Sequence, residues 1–316
     1  MLSPEPMSDK SHAMPDGLFA LPHHRLMALS GRDAVAFAQA QFMNDVTLLT
    51  DGQWQWNGWL TPKGRVVALF ALLRVDAETL WLVLPDAEPG PLADALKRYV
   101  FRSKVAIAVR DDLHIAGRLG APLVASGAVA SLALPTSIGT GTPLSNAETA
   151  AGDVPALVEL DMSGDGGPRA LYVLARPLAP SPASEAAWAA ADLRHGLPLL
   201  PAGQAEHWTP QQLSLERLKA FSVKKGCYPG QEIVARTHFL GKVKRGLMLV
   251  TSSVPFDAGA ELLADVSPLG SVVSSMADDA GSVGLAVVPL ERDAAAALTI
   301  AEAQVTEAPL LGGLAR

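Results

Sequence analysis

The chain has 316 residues, a length that suggests about two domains. Hydrophobic residues make up 49% and charged residues 18%, so burial can offset the entropy of ordering a globular chain. The net charge of −7 argues against a general nucleic-acid binder, and the single cysteine excludes an intrachain disulfide and a four-cysteine zinc or iron–sulfur site.

Residues 1–18 hold no apolar core of signal-peptide length and read as a disordered lead. The apolar stretch Val66–Leu73 is far short of the roughly 20 residues of a membrane helix. With one cysteine, the natural compartment is a reducing one, so a cytoplasmic location is expected.

Leu26–Leu29 reads as a strand. Ser30-Gly31-Arg32-Asp33 is a turn suited to cap a helix over Ala34–Phe42, where Val35, Phe37, Ala38 and Phe42 recur at helical spacing. Trp54–Leu60 and Val66–Val75 flank Thr61-Pro62-Lys63-Gly64, a hairpin turn. A strand at Thr79–Leu84, a helix at Pro91–Tyr99 and a strand at Val105–Val109 complete an α+β order, not a parallel nucleotide-binding sheet. Residues 119–155 are rich in Ala, Gly, Ser, Thr and Pro and read as part helix, part loop. Strands at Ala156–Asp161 and Ala170–Ala175 and a helix at Glu185–Leu193 follow. Beyond Arg245 the pattern turns to short strands: Leu247–Ser252, Ala260–Ala264, Gly270–Met276, Gly284–Pro289 and Leu298–Val305. Their spacing predicts a small β-barrel.

The densest chemistry lies at Lys225-Gly226-Cys227-Tyr228-Pro229-Gly230-Gln231-Glu232. Gly226 and Gly230 permit tight turns around the only cysteine, and Pro229 stiffens the loop. Lys224 and Lys225 before it, and Arg236 and His238 after it, are cations of the kind that favour a thiolate. Gln231 and Glu232 open a short helix or strand and offer an amide and an acid to a heteroaromatic edge. The bland reading is a buried small cysteine, with Glu232 and Arg236 forming a helix-surface ion pair.

The stretch Lys225–Glu232 with Val234-Ala235-Arg236 resembles the signature of the YgfZ family, relatives of the glycine-cleavage T-protein. The likeness extends to Gly31-Arg32-Asp33-Ala34 with Phe37 and Gln41, to Asn44-Asp45-Val46, and to Pro62-Lys63-Gly64-Arg65. It continues through Tyr99–Val105, Gly196-Leu197-Pro198 and Pro210-Gln211. The resemblance implies a T-protein-like fold: two α+β lobes and a C-terminal β-barrel around a central channel. On this chain the lobes fall at 19–112 and 113–195, the signature segment that returns to the channel at 196–244, and the barrel at 245–316.

The resemblance further implies a tetrahydrofolate cofactor and a role in assembly or repair of iron–sulfur clusters in client enzymes, including methylthiotransferases that modify transfer RNA. The implied partners are those clients or assembly proteins, with no membrane and no direct nucleic-acid contact. The resemblance places the family's signature cysteine, with its redox or sulfur chemistry, on Cys227. Tyr228, Gln231, Glu232 and Arg236 are implied to lie about the cofactor. Of two tryptophans that line the family's folate site, one falls on Trp188 and the other on His24. A core tryptophan is the alternative reading of Trp188. The T-protein's catalytic aspartate falls on Leu69, so an enzyme of that type is not expected. Its pterin-pairing glutamate falls on Arg194, which offers only donors. Two other readings stand: a folate-dependent one-carbon transferase or demethylase, and a folate-independent iron–sulfur scaffold built on Cys227. No metal site held by this chain alone is expected.

Overall fold

A computed structural model of the chain describes residues 17–133, 156–201, 203–278 and 281–316. The first strands are β1 (Phe19–Ala20) and β2 (Arg25–Ser30), followed by α1 (Ala34–Gln41). Asp33 does not cap α1 through its side chain. Its carboxylate instead accepts the Lys104 N–H at 2.6 Å, tying the helix start to a later loop. Next come β3 (Trp54–Leu60), β4 (Val66–Asp76), β5 (Thr79–Leu84), α2 (Pro89–Lys97) and β6 (Ala106–Val109). Helix α2 begins two residues earlier than the pattern predicts, because Pro89 is tolerated in a first turn, where its missing N–H would have no partner.

These strands form an antiparallel sheet in the order β3-β4-β5-β2-β6. Side chains alternate across it, so one strand feeds two cores. Phe70, Leu72, Leu80 and Leu82 pack in the layer with α1 and α2. Leu69, Ala71, Leu73 and Trp81 pack in the central core.

The second lobe adds β7 (His114–Arg118), β8 (Ser131–Leu132), β9 (Ala156–Asp161), β10 (Ala170–Leu174) and α3 (Pro182–Arg194). Its sheet runs β1-β7-β10-β9-β8, also antiparallel. Strand β7 is not read from the sequence, since its His, Gly and Arg dilute the apolar pattern. Residues 119–133 contain no helix, contrary to the expectation for 119–155; residues 134–155 lie outside the described residues. The loop there is held by the buried Glu159 carboxylate, which accepts the N–H groups of Leu123, Val124 and Ala125 at 2.6 to 2.8 Å.

Helix α4 (Gln231–Phe239) leads to the last unit. This is a barrel-like sheet of β11 (Arg245–Ser252), β12 (Glu261–Ala264), β13 (Ser267–Asp278), β14 (Gly281–Pro289), β15 (Leu298–Ile300), β16 (Ala303–Gln304) and β17 (Thr306–Ala308). Its order is β16-β15-β12-β13-β14-β11-β17. The expected strand at Leu298–Val305 is split, because Ala301 and Glu302 take φ of 47° and 68° and turn β15 back on β16. Two successive positive φ values are the mark of a tight hairpin turn, usually signalled by Asn-Gly. Helix α3 joins the units: Ala190 and Leu193 pack with Leu249 and Leu285 of the barrel, and Trp188 faces the central core. Among the described residues, no helix is long and apolar enough to cross a membrane.

Beyond β17 the chain leaves the barrel and runs back to the central core. Leu314 is buried there, and the Trp56 indole N–H donates to its carbonyl at 2.9 Å. The Arg316 guanidinium donates to the Asp161 and Ser163 carbonyls and lies 5.5 Å from the Trp54 ring. This tail is therefore part of what holds barrel and lobes together. Leu314→Ala should cost about 3 kcal/mol through the cavity it leaves. Trp56→Phe should cost about 1–2 kcal/mol by leaving a buried carbonyl unpaired. Urea unfolding of each variant measures both.

Candidate functional site

The signature divides into residues turned inward and residues left outside. Lys225 is buried, and its ammonium donates to three backbone carbonyls: Gln39 at 2.6 Å, Phe42, and Asn44 at 3.1 Å. Gln39 lies in the last turn of α1 and Phe42 follows the helix, so Lys225 serves carbonyls that the helix end leaves without partners. Burial pushes its pKa down to about 8, against the pull of Asp45. The ammonium also lies 4.8 Å from the centre of the buried Tyr228 ring. Its three donors are used inside the protein, so Lys225 anchors the loop that carries Cys227. Asn44 completes the seat. Its side chain donates to the Trp56 and Lys219 carbonyls at 2.9 and 2.7 Å, and Ser222 N–H donates to the Met43 carbonyl at 2.9 Å.

Gly230 and Gly64 bring the signature against the β3–β4 hairpin. Gly230 has φ of 80° and starts α4; a Cβ there would lie 2.6 Å from the Thr61 carbonyl oxygen and 2.8 Å from Gly64 Cα. Gly64 has φ of 70°, and its Cβ would lie 2.8 Å from Ile233 Cβ. Two motifs separate in sequence thus meet backbone to backbone. Gln231 closes the loop by donating to the Lys225 carbonyl at 3.1 Å. Outside remain Gly226, Cys227, Glu232 and Arg236, all exposed. The cysteine is free and not buried, so the reading of it as a small core residue is set aside. The alternative Glu232–Arg236 ion pair is also not formed.

A cavity of about 450 Å³ lies elsewhere, where the start of β2, α3 and β13 converge. His24 and Trp188, far apart in the chain, both line it, as do Asp86, Glu185, Asp192 and Ser274. Trp188 is 1% exposed, meets Phe19 edge-on at 6.2 Å and lies under the Arg169 guanidinium at 4.7 Å. It is a core tryptophan and a cavity wall at once. Asp192, one helical turn along α3, accepts from Arg169 at 2.8 Å. Burial pushes its carboxyl above the ordinary value while Arg169 opposes that. Burial, then His23, Arg169 and Arg25, hold His24 far below the usual histidine range, so its imidazole is neutral. Asp86 accepts the Leu200 N–H, and burial pushes its pKa up to about 6.

Arg194 is exposed and does not line this cavity. Two residues along a helix turn a side chain by some 200°, which sends Arg194 away from the face that carries Asp192. Tyr228, Gln231, Glu232 and Arg236 do not line it either. Leu69 is 1% exposed in the central core and brings no carboxylate there. Sequence reading missed Asp86, Arg169 and Asp192. The i, i+4 spacing of Trp188 and Asp192 on a predicted helix was the available signal.

No family model matches the chain. Its fold is that of the T-type aminomethyltransferases: the solved glycine cleavage system aminomethyltransferase T from Bartonella henselae superposes with a TM-score of 0.67 at 15% identity, covering 92% of this chain and 84% of that one. In sequence the chain is 30% identical over 272 residues to the tRNA-modifying protein YgfZ of Klebsiella pneumoniae, covering 82% of this chain and 79% of that protein. The tRNA-modifying protein YgfZ of Escherichia coli is 30% identical over 77% of this chain and 74% of its own length. That of Colwellia psychrerythraea is 26% identical over 76% and 74%. The chain belongs to the YgfZ family.

Lys225→Met should lower stability by about 3 kcal/mol, because it strips buried carbonyls of a charged donor. Gly230→Ala should cost a similar amount, about 3 kcal/mol, from a left-handed backbone and a crowded hairpin. Both are read by urea unfolding. For Asp86 the folded pKa is raised above the ordinary 3.8, so the fold disfavours its ionised form. Wild type should therefore lose stability relative to Asp86→Asn as pH rises from about 4 to about 6, with a constant gap above. Unfolding midpoints of the two proteins near pH 4 and near pH 7 measure this.

Proposed function

We propose that the chain is a reduced-folate-binding protein that supports assembly or repair of iron–sulfur clusters in client enzymes of the cytoplasm, including methylthiotransferases that act on transfer RNA. The observation that carries the folate part is the cavity in which Trp188 and His24 come together beside acidic side chains. Its volume of about 450 Å³ suits a folate-sized ligand. The residues fit the chemistry as well. A pterin presents several N–H donors, and Asp86, Glu185 and Asp192 are acceptors. The hydroxyl of Ser274 is buried without a partner, as a group awaiting a ligand's acceptor would be. A neutral imidazole at His24 can donate and accept, and its flat face replaces part of an indole's stacking area. When bound, a reduced folate would supply ring nitrogens that carry one-carbon units; the chain's own part is to hold and orient the pterin.

Cys227 is the second element of the proposal. It stands exposed beside Gly226, where a Cβ would meet nothing within 4 Å. Such an open approach suits contact with a partner's sulfur or cluster. The name carried by the relatives, tRNA-modifying protein, supports clients that act on transfer RNA. Leu69 leaves no carboxylate at the T-protein position, so transfer by that route is not proposed.

Titration with tetrahydrofolate should quench tryptophan fluorescence saturably, and Trp188→Ala should weaken binding at least about 10-fold by removing a stacking face. No quenching of wild type would sink the folate part and favour the scaffold built on Cys227. In a strain lacking its own family member, wild type should restore transfer-RNA methylthiolation and Cys227→Ala should not. Equal rescue by both would remove Cys227 from the function.

A further inference from the structure

A second cavity, about 430 Å³, lies on the other side of Asp86 from the first. Its walls come from the end of β3 with the hairpin turn, the start of β4, α2 with Tyr99, and the segment ending at Glu206. Three carboxylates line it, those of Asp86, Glu88 and Glu206, and among the described residues no Lys, Arg or His does. None of the three enters an ion pair among the described residues. Clustered carboxylates without a cation repel one another and raise the affinity of the site for positive charge.

A separate observation points to the rest of the ligand. Trp59 forms part of the wall, is 6% exposed, and is met edge-on by Tyr99 at 5.9 Å. Its indole N–H is buried without an acceptor, in a structure where most buried donors are paired. An aromatic wall favours a cation or a flat apolar group over its face.

We propose that this cavity binds a small organic ammonium with an apolar flank and an adjacent carbonyl acceptor, of the α-amino amide class. The ammonium meets Asp86, Glu88 and Glu206; the flank packs on Trp59 and Tyr99; the carbonyl takes the indole N–H. A ligand bearing a carboxylate is repelled by the same three acids. The site does not require folate in the first cavity, although Asp86 and Glu88 border both.

The test uses L-phenylalaninamide on the full chain, by calorimetry and by the indole N–H resonances in a nitrogen–proton spectrum, with Trp59→Phe identifying its own signal. Saturable binding near neutral pH is expected, with the neutral N-acetyl-phenylalaninamide at least about 10-fold weaker through loss of the charge. The variant Glu206→Gln, on the exposed rim and lining this cavity but not the first, should keep the wild-type melting temperature and bind at least about 3-fold more weakly. The Trp59 resonance should move most. Absence of saturable binding overturns the proposal, as does equal binding of the neutral amide. So does movement confined to the Trp188 resonance, which would put the amine in the first cavity. Folate titration of the same samples reads the first cavity independently.

Discussion

The buried ammonium of Lys225 is the interaction on which the rest depends. A charge out of water is tolerated only when its hydrogen-bonding capacity is filled. Here three carbonyls at and beyond the end of α1 fill it, and those carbonyls would otherwise lack partners. The same contact fixes the path of everything that follows. With Lys225 seated, Tyr228 lies in the core, Gly230 reaches the hairpin at Gly64, and α4 starts where a left-handed residue allows it. Cys227, between these anchors, is left outside on a loop whose two ends are pinned. The signature is half architecture and half presented chemistry.

The loop and the first cavity are separate places, and a continuous run of structure lies between them. The hairpin touched by Gly230 provides Thr61 and Pro62 to the second cavity, and Asp86 stands between that cavity and the first. Backbone bonds from Val66 to Trp208 and from Glu206 to Val66 fix the intervening segment to the hairpin at 2.8 Å each. Position along this run is therefore rigidly inherited from the sheet of the first lobe, not from loops of their own.

Much of this was legible in the sequence where local physics decides the outcome. The alternation of β3, the buried apolar runs of β4 and β5, the helix expected over Ala34–Phe42 and found at Ala34–Gln41, and the Thr61–Gly64 turn follow from period and turn chemistry. Strand β7 was not, because its place is set by pairing with β10 and β1 and not by its own residues. The Ala301-Glu302 turn was hidden because neither residue advertises a positive φ. The inward turn of Lys225 depends on carbonyls some 180 residues earlier in the chain, which no local window contains. Likewise the tail after β17 takes its meaning from Trp56 and Asp161, far upstream.

The same distinction sharpens the reading of the first cavity. By the family resemblance alone, Arg194 stands where a pterin-pairing acid is expected, and a guanidinium there would oppose a donor-rich ring. The helix geometry removes that conflict, since Arg194 is exposed and Asp192 occupies the cavity face one turn from Trp188. Arg169 then matters twice: it holds Asp192 in place at 2.8 Å and lies over the Trp188 ring at 4.7 Å, so acid and aromatic wall are positioned by one cation. That cation also helps keep His24 neutral across the cavity. On the proposed folate reading, these acids, the neutral imidazole and the indole would face a flat, uncharged ring with many donors. On that reading, His24 in place of an indole would shift recognition there from stacking toward hydrogen bonding.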